Sequence, residues 1–235
     1  MSAASKPKGF SLRNWKTITL LMAVFALPLS IIGQAMAYDE PKYRKVKIEK
    51  DLQKQLPKKI ELREYEPIMV AELKIEADGW NSAARQAFRP LANFIFGTND
   101  KDEKIGMTIP VTAHSTQADQ WTVAFVMPDR YTENSLPKPF GNEIGIVTRP
   151  AKTMAVITFS GGISGKAGNR NFKRAEERLR KTLSELKIQP NGPAVYAVYN
   201  GPFTPFFFRR NEVLLPIEPL EDNQTSPQGT TTQAH

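Results

Sequence analysis

Residues 88–111 constrain the fold of this chain more than any other stretch. They read F-R-P-L-A-N-F-I-F-G, a polar turn from Thr98 to Glu103, then K-I-G-M-T-I-P-V. Ala84, Phe88, Leu91 and Ile95 follow the three-and-four spacing of a helix face that packs on a core, while Ala87, Phe94 and Phe96 leave apolar surface on other sides. The pattern predicts a helix closed by Gly97 and a strand leading back into a sheet. A helix with apolar side chains on two faces needs two partners. One is the core; the other is either more protein or a flat apolar ligand. Pro90 lies inside the periodic run, where a proline costs about 3 kcal/mol, so a kink or a restart of the helix is expected there.

The flanking chain supplies a sheet. In residues 68–75, Met69, Ala71, Leu73 and Ile75 share one face of a strand, with Glu72 and Lys74 on the other. Asp78-Gly79 ends it, and Asn81 or Ser82 is placed to cap the helix that follows. Residues 104–113 and 121–127 read as two more strands, the second stopped by Pro128, and a proline-rich connection runs on to residue 142. Strand character resumes at 144–147 and 154–159. The Gly- and Ser-rich turn at 160–168 lacks the Gly-Lys-Ser/Thr ending of a phosphate-binding loop. Phe172, Ala175, Leu179, Leu183 and Leu186 then form one apolar stripe of a second helix, and strands are expected at 194–199 and 206–215. From Ile60 the order strand, helix, strand, strand occurs twice. The fold class is therefore α+β, a duplicated strand-helix-strand-strand unit forming a distorted barrel or sheet with two helices packed on it.

Composition narrows the chemistry. The 235 residues contain no cysteine, which excludes disulfides, thiolate metal sites, a covalent c-type haem and a thiol nucleophile. Lys6, Lys8, Arg13 and Lys16 precede an apolar run at residues 18–32, and Ala35-Met36-Ala37 follows as a small-x-small cleavage site. This is the layout of a secretory signal peptide over residues 1–37. The apolar run is 15 residues long, short of the roughly 20 of a membrane span. An exported protein, periplasmic or secreted, is expected, with no membrane contact after cleavage; the alternative is a chain anchored by an uncleaved signal. Losing four of the 32 basic residues leaves 28 against 24 acids, a net +4, a balance that does not suggest nucleic acid. Residues 219–235 are polar and read as a disordered tail.

The motifs carry a resemblance. F-R-P-L-A-N-F-I-F-G, K-I-G-M-T-I-P-V, the F-V-M-P at 125–128, the F-S-G at 159–161 and the F-F-F-R-R-N-E-V at 206–213 resemble, in order and spacing, the SOUL haem-binding protein family. The likeness covers residues 38–218. It implies the same α+β fold and a bound haem or related tetrapyrrole, held without a strict ligand motif and without dependence on a histidine.

If the halves are structural copies, only the first helix has apolar surface to spare, and the ligand belongs beside it. Phe88, Leu91, Ala92 and Ile95 would offer the apolar wall, and Arg85 and Arg89, four apart, would meet propionates at its edge. The same residues could be plain core, with both arginines paired to surface acids. His114 and His235 are the only histidines, which rules out bis-histidine ligation within the fold. His114 is the one candidate metal ligand among them, but it alternates opposite Met107, Ile109, Val111 and Ala113, so it should face away from whatever those four pack on. Met107 or Tyr131 could ligate iron in principle. A second aromatic cluster, Phe203 and Phe206 to Phe208, should be partly core. Catalytic constellations are thin, so the expected function is reversible tetrapyrrole binding in a mainly hydrophobic cleft beside the first helix and the proline-rich loop. The alternatives are a tetrapyrrole-modifying enzyme such as a metal dechelatase, using His114 or Glu143, and a module that docks a protein partner on the same helix face.

Overall fold

The structure is a computed structural model that describes residues 38–201 and 203–220. The expected signal segment and the tail beyond residue 220 lie outside the described residues. Nine strands form one antiparallel sheet in the order β1-β2-β7-β9-β8-β4-β5-β3-β6. They are β1 (Tyr43–Lys45), β2 (Ile60–Tyr65), β3 (Ile68–Glu76), β4 (Val111–Gln117), β5 (Gln120–Val126), β6 (Ile144–Arg149), β7 (Lys152–Phe159), β8 (Val195–Val198) and β9 (Asn211–Pro216). Among the described residues three α-helices accompany them: the short α1 (Lys50–Gln55), α2 (Trp80–Ile95) and α3 (Gly165–Glu185).

Two bent strands curl the sheet. Only Glu66 and Pro67 separate β2 from β3, and only Pro150 and Ala151 separate β6 from β7. Tyr65 faces Lys152 at the end of one ladder and Ile68 faces Arg149 at the start of the other, so one register runs through both and sets Pro67 opposite Pro150. Proline has no N–H to give to a ladder, so pairing breaks there and the two strands bend together. From β2 to β6 the sheet order is symmetric about its centre, where β4 pairs β8 with Val111 opposite Val198 and His114 opposite Val195. This is the expected duplication. The first unit carries one strand more than the pattern suggested, β2, joined to β3 through Glu66 and Pro67; in the second unit the strands expected at 144–147 and 154–159 are β6 and β7.

Alternation along the strands gives the sheet two apolar faces. Ala71, Leu73, Ala113, Val123, Phe125, Ala155, Ile157, Val213 and Leu215 face the helices, where Leu91, Phe94, Ile95, Phe172, Leu179 and Leu183 complete the core. Phe172 is its aromatic centre, with ring centroids 4.8 Å from Trp80, 5.0 Å from Phe159 and 4.8 Å from Tyr196. The far face carries two smaller clusters: Met154, Val156, Ala197, Tyr199 and Leu214 from the second unit, and Val70, Ala124 and Val126 from the first.

Three local expectations are revised. The helix α2 begins at Trp80, and Pro90 lies inside it without ending it. The carbonyl of Gln86 that loses its partner belongs to an exposed residue, where water can serve it. Asn81 caps the other helix instead of its own. Its amide Nδ2 donates to Ile163 O at 3.0 Å and its Oδ1 accepts from the N–H of Gly165, the first residue of α3, at 3.0 Å. In return Asn169 of α3 accepts from the N–H of Asn81 at 3.4 Å, so the two helix starts satisfy one another across the pseudo-two-fold. The run Phe206–Phe208 is a 3-10 turn after Pro205, not the start of a strand. With no pleat to alternate, Phe203, Phe206, Phe207 and Phe208 are all exposed, at 98%, 61%, 57% and 73%.

Candidate functional site

A cleft of about 490 Å³ opens beside the first half of α2. Trp80, Ala84 and Phe88 form its helical wall. They fall four apart, so they lie nearly above one another on one side of the helix. Met107, Ile109 and Val111 supply the opposite wall as the chain enters β4, and Val198 to Gly201 close the end beyond β8. Phe88 holds its position by an edge contact with Phe125, 5.6 Å between centroids, yet leaves 45% of its surface open. Arg85, exposed, stands at the lip. The indole Nε1 of Trp80 is buried with no hydrogen-bond partner among the described residues. A buried donor left unpaired costs on the order of 1–3 kcal/mol.

The sequence-predicted residues divide. Arg85 and Phe88 line the cleft together. Arg89 is exposed on the helix but outside the lining. Leu91, Ala92 and Ile95 are 0%, 8% and 1% exposed and belong to the helix-to-sheet packing, on the face of α2 turned to the core, while Asn93 and Phe96 of the same turns stay exposed. The proline-rich connection lines no part of the cleft. Leu136 is buried, and the bridge from Pro139 to Asn99 holds the segment at the opposite end of α2. Tyr131 is held there too, its hydroxyl donating to Glu103. Trp80 and Met107 were missed as wall residues. The signal for Trp80 was its spacing to Ala84 and Phe88, hidden by placing the helix cap at Asn81 or Ser82.

His114 is on the other side of the sheet. It shares a strand face with Thr112, and both line a second cleft, of about 310 Å³, on the far face. Its neighbour in register, Val111, points to the helix cleft. A ligand beside Phe88 therefore has the sheet between itself and His114. Burial, helped by Arg149 and opposed by Glu72, moves the His114 imidazole below its ordinary pKa, and its Nδ1 has no hydrogen-bond partner among the described residues. Among the described residues no group of three or more His, Asp or Glu side chains converges on a metal site.

Beside that second cleft lies a buried charge network. Arg63 donates to both carboxylate oxygens of Glu212, at 2.9 and 3.1 Å, and Tyr199 Oη donates to Glu212 at 2.7 Å. Arg210 Nε donates to the same carboxylate at 3.1 Å while its guanidinium lies 3.7 Å from the centroid of the Tyr199 ring. Burial works against the charge on Glu212, but Arg63, Tyr199 and Arg210 outweigh it and hold the carboxyl below the usual range. Burial pushes the Tyr65 phenol, which accepts from Arg63, up to about 12.

Known proteins share this architecture. The C-terminal domain of EcmrR superposes with a TM-score of 0.53 at 12% identity, covering 68% of this chain and 98% of that one, a likeness of fold alone. Heme-binding protein 2 of Homo sapiens is 27% identical over 176 residues, 72% of this chain and 83% of its own. Heme-binding protein 1 of Mus musculus is 29% identical over 142 residues, 57% of this chain and 72% of its own. The SOUL heme-binding protein family matches residues 38–216, the whole of the duplicated sheet and its helices, and the chain belongs to that family.

Proposed function

We propose that this protein binds haem or a related tetrapyrrole reversibly in the cleft beside α2. The observation that carries the reading is Phe88: a large aromatic side chain left nearly half open over an apolar cleft of about 490 Å³, with Arg85 at the lip. When bound, a tetrapyrrole supplies a broad apolar plane and two propionate carboxylates. Phe88, Ala84, Ile109 and Val111 would take the plane, and Arg85 would take a propionate by a charge-assisted hydrogen bond. Met107 is the soft side chain in the lining and the candidate for contact with iron. The exposed phenylalanines follow the end of the cleft in the chain and would be candidates to cover a bound ring. Membership in the family and the names of the relatives support haem as the ligand.

We further propose export, with cleavage after Ala37. Support comes from the basic, apolar and small-residue layout of residues 1–37 and from the family match beginning at residue 38. Amino-terminal sequencing of the protein made in its own host should begin at Tyr38; an intact amino terminus would exclude cleavage. The ligand reading is tested by titrating the protein with haemin and following the Soret band. Saturation at one ring per chain is expected, and an unsaturable or absent change would reject the site.

A further inference from the structure

The loop between β8 and β9 projects aromatic side chains that the core does not use. Phe203, Phe206, Phe207 and Phe208 are all exposed, and the last three stand on the 3-10 turn. Their rings pack on one another, with centroids 5.2 Å apart between Phe206 and Phe207 and 4.6 Å between Phe207 and Phe208. The turn is tied at several points. Thr204 N–H donates to Gly201 O at 3.2 Å, Phe208 N–H to Pro205 O at 2.9 Å and Arg209 Nε to Thr204 O at 2.8 Å. At its base Arg210 N–H donates to Asn200 Oδ1 at 2.6 Å. An apolar tip held from within gives up little conformational freedom when something covers it.

Shape and charge indicate what covers it. Successive residues of a 3-10 turn point about 120° apart, so Phe206, Phe207 and Phe208 fan out and form no flat patch. With Phe203 they expose on the order of 600 Å², short of the roughly 800 Å² that each partner gives to a standard protein interface. A fluid bilayer needs no matching pocket and closes around a convex apolar tip. The root of the loop, Asn200 and Gly201, lines the helix cleft together with Ile163 and Ser164, which lead into α3. Lys166, Arg170, Arg174 and Arg178 follow at intervals of four along one exposed side of that helix, with Lys173 beside them, and none has an ion pair among the described residues. Glu177 is the one acid of α3 left unpaired, since Glu176 holds Arg180 and Glu185 holds Lys181. Between the two helix starts Asp78 stands with Arg85 and Lys166, so the balance there is positive too. In the loop itself Arg210 is answered by Glu40 and Glu212, so α3 supplies the charge. From the fanned phenylalanines and the basic stripe that starts beside their root, we propose that this protein docks peripherally on an anionic lipid surface. The rings enter the boundary of the acyl chains, and the bases of α3 lie against lipid phosphates. Such contact needs no spanning helix, and among the described residues none is long and apolar enough to cross a membrane. It revises the expectation that the cleaved chain makes no membrane contact. The proposal does not rest on haem binding, and its test is run without haemin.

The chain has no cysteine, so Phe207→Cys carries a single environment-sensitive NBD label at the tip. The full labelled chain is titrated with phosphatidylcholine vesicles, with and without phosphatidylglycerol. On the mixed vesicles the emission should rise and shift to the blue, and a nitroxide-bearing lipid should quench it. Sedimentation with vesicles while the label stays unquenched would place the contact elsewhere, residues 1–37 included, and overturn the proposal. Phe206→Ser with Phe208→Ser, at exposed positions, should weaken the titration by tenfold or more with circular dichroism unchanged, and leucine at both positions should restore it. An unchanged titration in the serine variant would overturn the role of the rings. Arg170→Glu with Arg174→Glu should weaken the titration on mixed vesicles by roughly tenfold, more at low salt than at high, and leave phosphatidylcholine alone unaffected. Equal titrations of that variant and the parent on mixed vesicles would overturn the anionic surface. A parent that is dimeric without lipid and becomes monomeric in the serine variant would show that a second copy covers the rings, and would overturn the membrane.

Discussion

Arg63 donates two hydrogen bonds to Glu212, 149 residues away in the chain, with side chains 4% and 0% open to water. The pair joins β2, from the start of the first unit, to β9, at the end of the second, across the intervening β7. It forms the polar edge of the far face and fixes the two tyrosines beside it. A buried ion pair is weak evidence for net stability, since desolvation offsets much of its attraction, but breaking one side of it leaves a charge stranded.

Arg63→Met should accordingly destabilise the protein by about 3 kcal/mol, the lower end for a broken buried pair, since Tyr199 and Arg210 still donate to the Glu212 carboxylate, read as a lower urea midpoint. The double variant Arg63→Met with Glu212→Leu should recover a large part of that loss. Equal stability of single and double variants would show that packing, and not the stranded carboxylate, sets the cost.

Acid should act through the same residue. The folded-state pKa of Glu212 is depressed, so its contribution is fully present above the unfolded value of about 4.3 and is lost as pH falls through the folded value. Glu61, also depressed against its burial by Lys45 and Arg63, acts in the same direction. Urea midpoints should stay level from neutral pH to about 5 and drop below about 4. The drop should be shallower in the double variant that lacks Glu212.

Haemin affinity should depend on the lip and wall of the helix cleft. Arg85→Glu should weaken haemin by roughly tenfold or more, the loss of one charge-assisted hydrogen bond, and should affect a dimethyl-esterified porphyrin little. Phe88→Ala should weaken both rings alike. Phe88 is 45% exposed, so the fold should survive the change, which circular dichroism would check. An unchanged Soret titration in both variants would move the ring elsewhere.

His114→Ala should leave haemin affinity and the Soret maximum as in the parent, because the sheet lies between His114 and Phe88. Protoporphyrin without metal should bind the parent about as well as haem if burial of the ring dominates. A loss confined to haem, with a shifted Soret band, would place iron on His114 and the ring on the far face.

Much of this was legible before any tertiary structure. The spacing of Phe172, Ala175, Leu179 and Leu183 is a statement about helical geometry, and all four are buried where that geometry puts them. The alternation that set His114 with Thr112 and against Val111 and Ala113 is likewise a property of the pleat, and the two sets line different faces of the sheet. Periodicity also recognised that α2 has apolar side chains on more than one side. It could not say which of them stay open. Phe88 and Leu91 look alike in the sequence, yet Leu91 is fully buried and Phe88 is not, because β5 brings Phe125 under the edge of Phe88 while the sheet closes completely over Leu91. Local pattern reports the faces of an element; the count of faces that find a protein partner depends on strands far away in the chain. The same reason hid the far cleft. Its walls come from β2 to β9, and the unsatisfied nitrogen of His114 is recognisable only once every neighbour that could have paired it is in place.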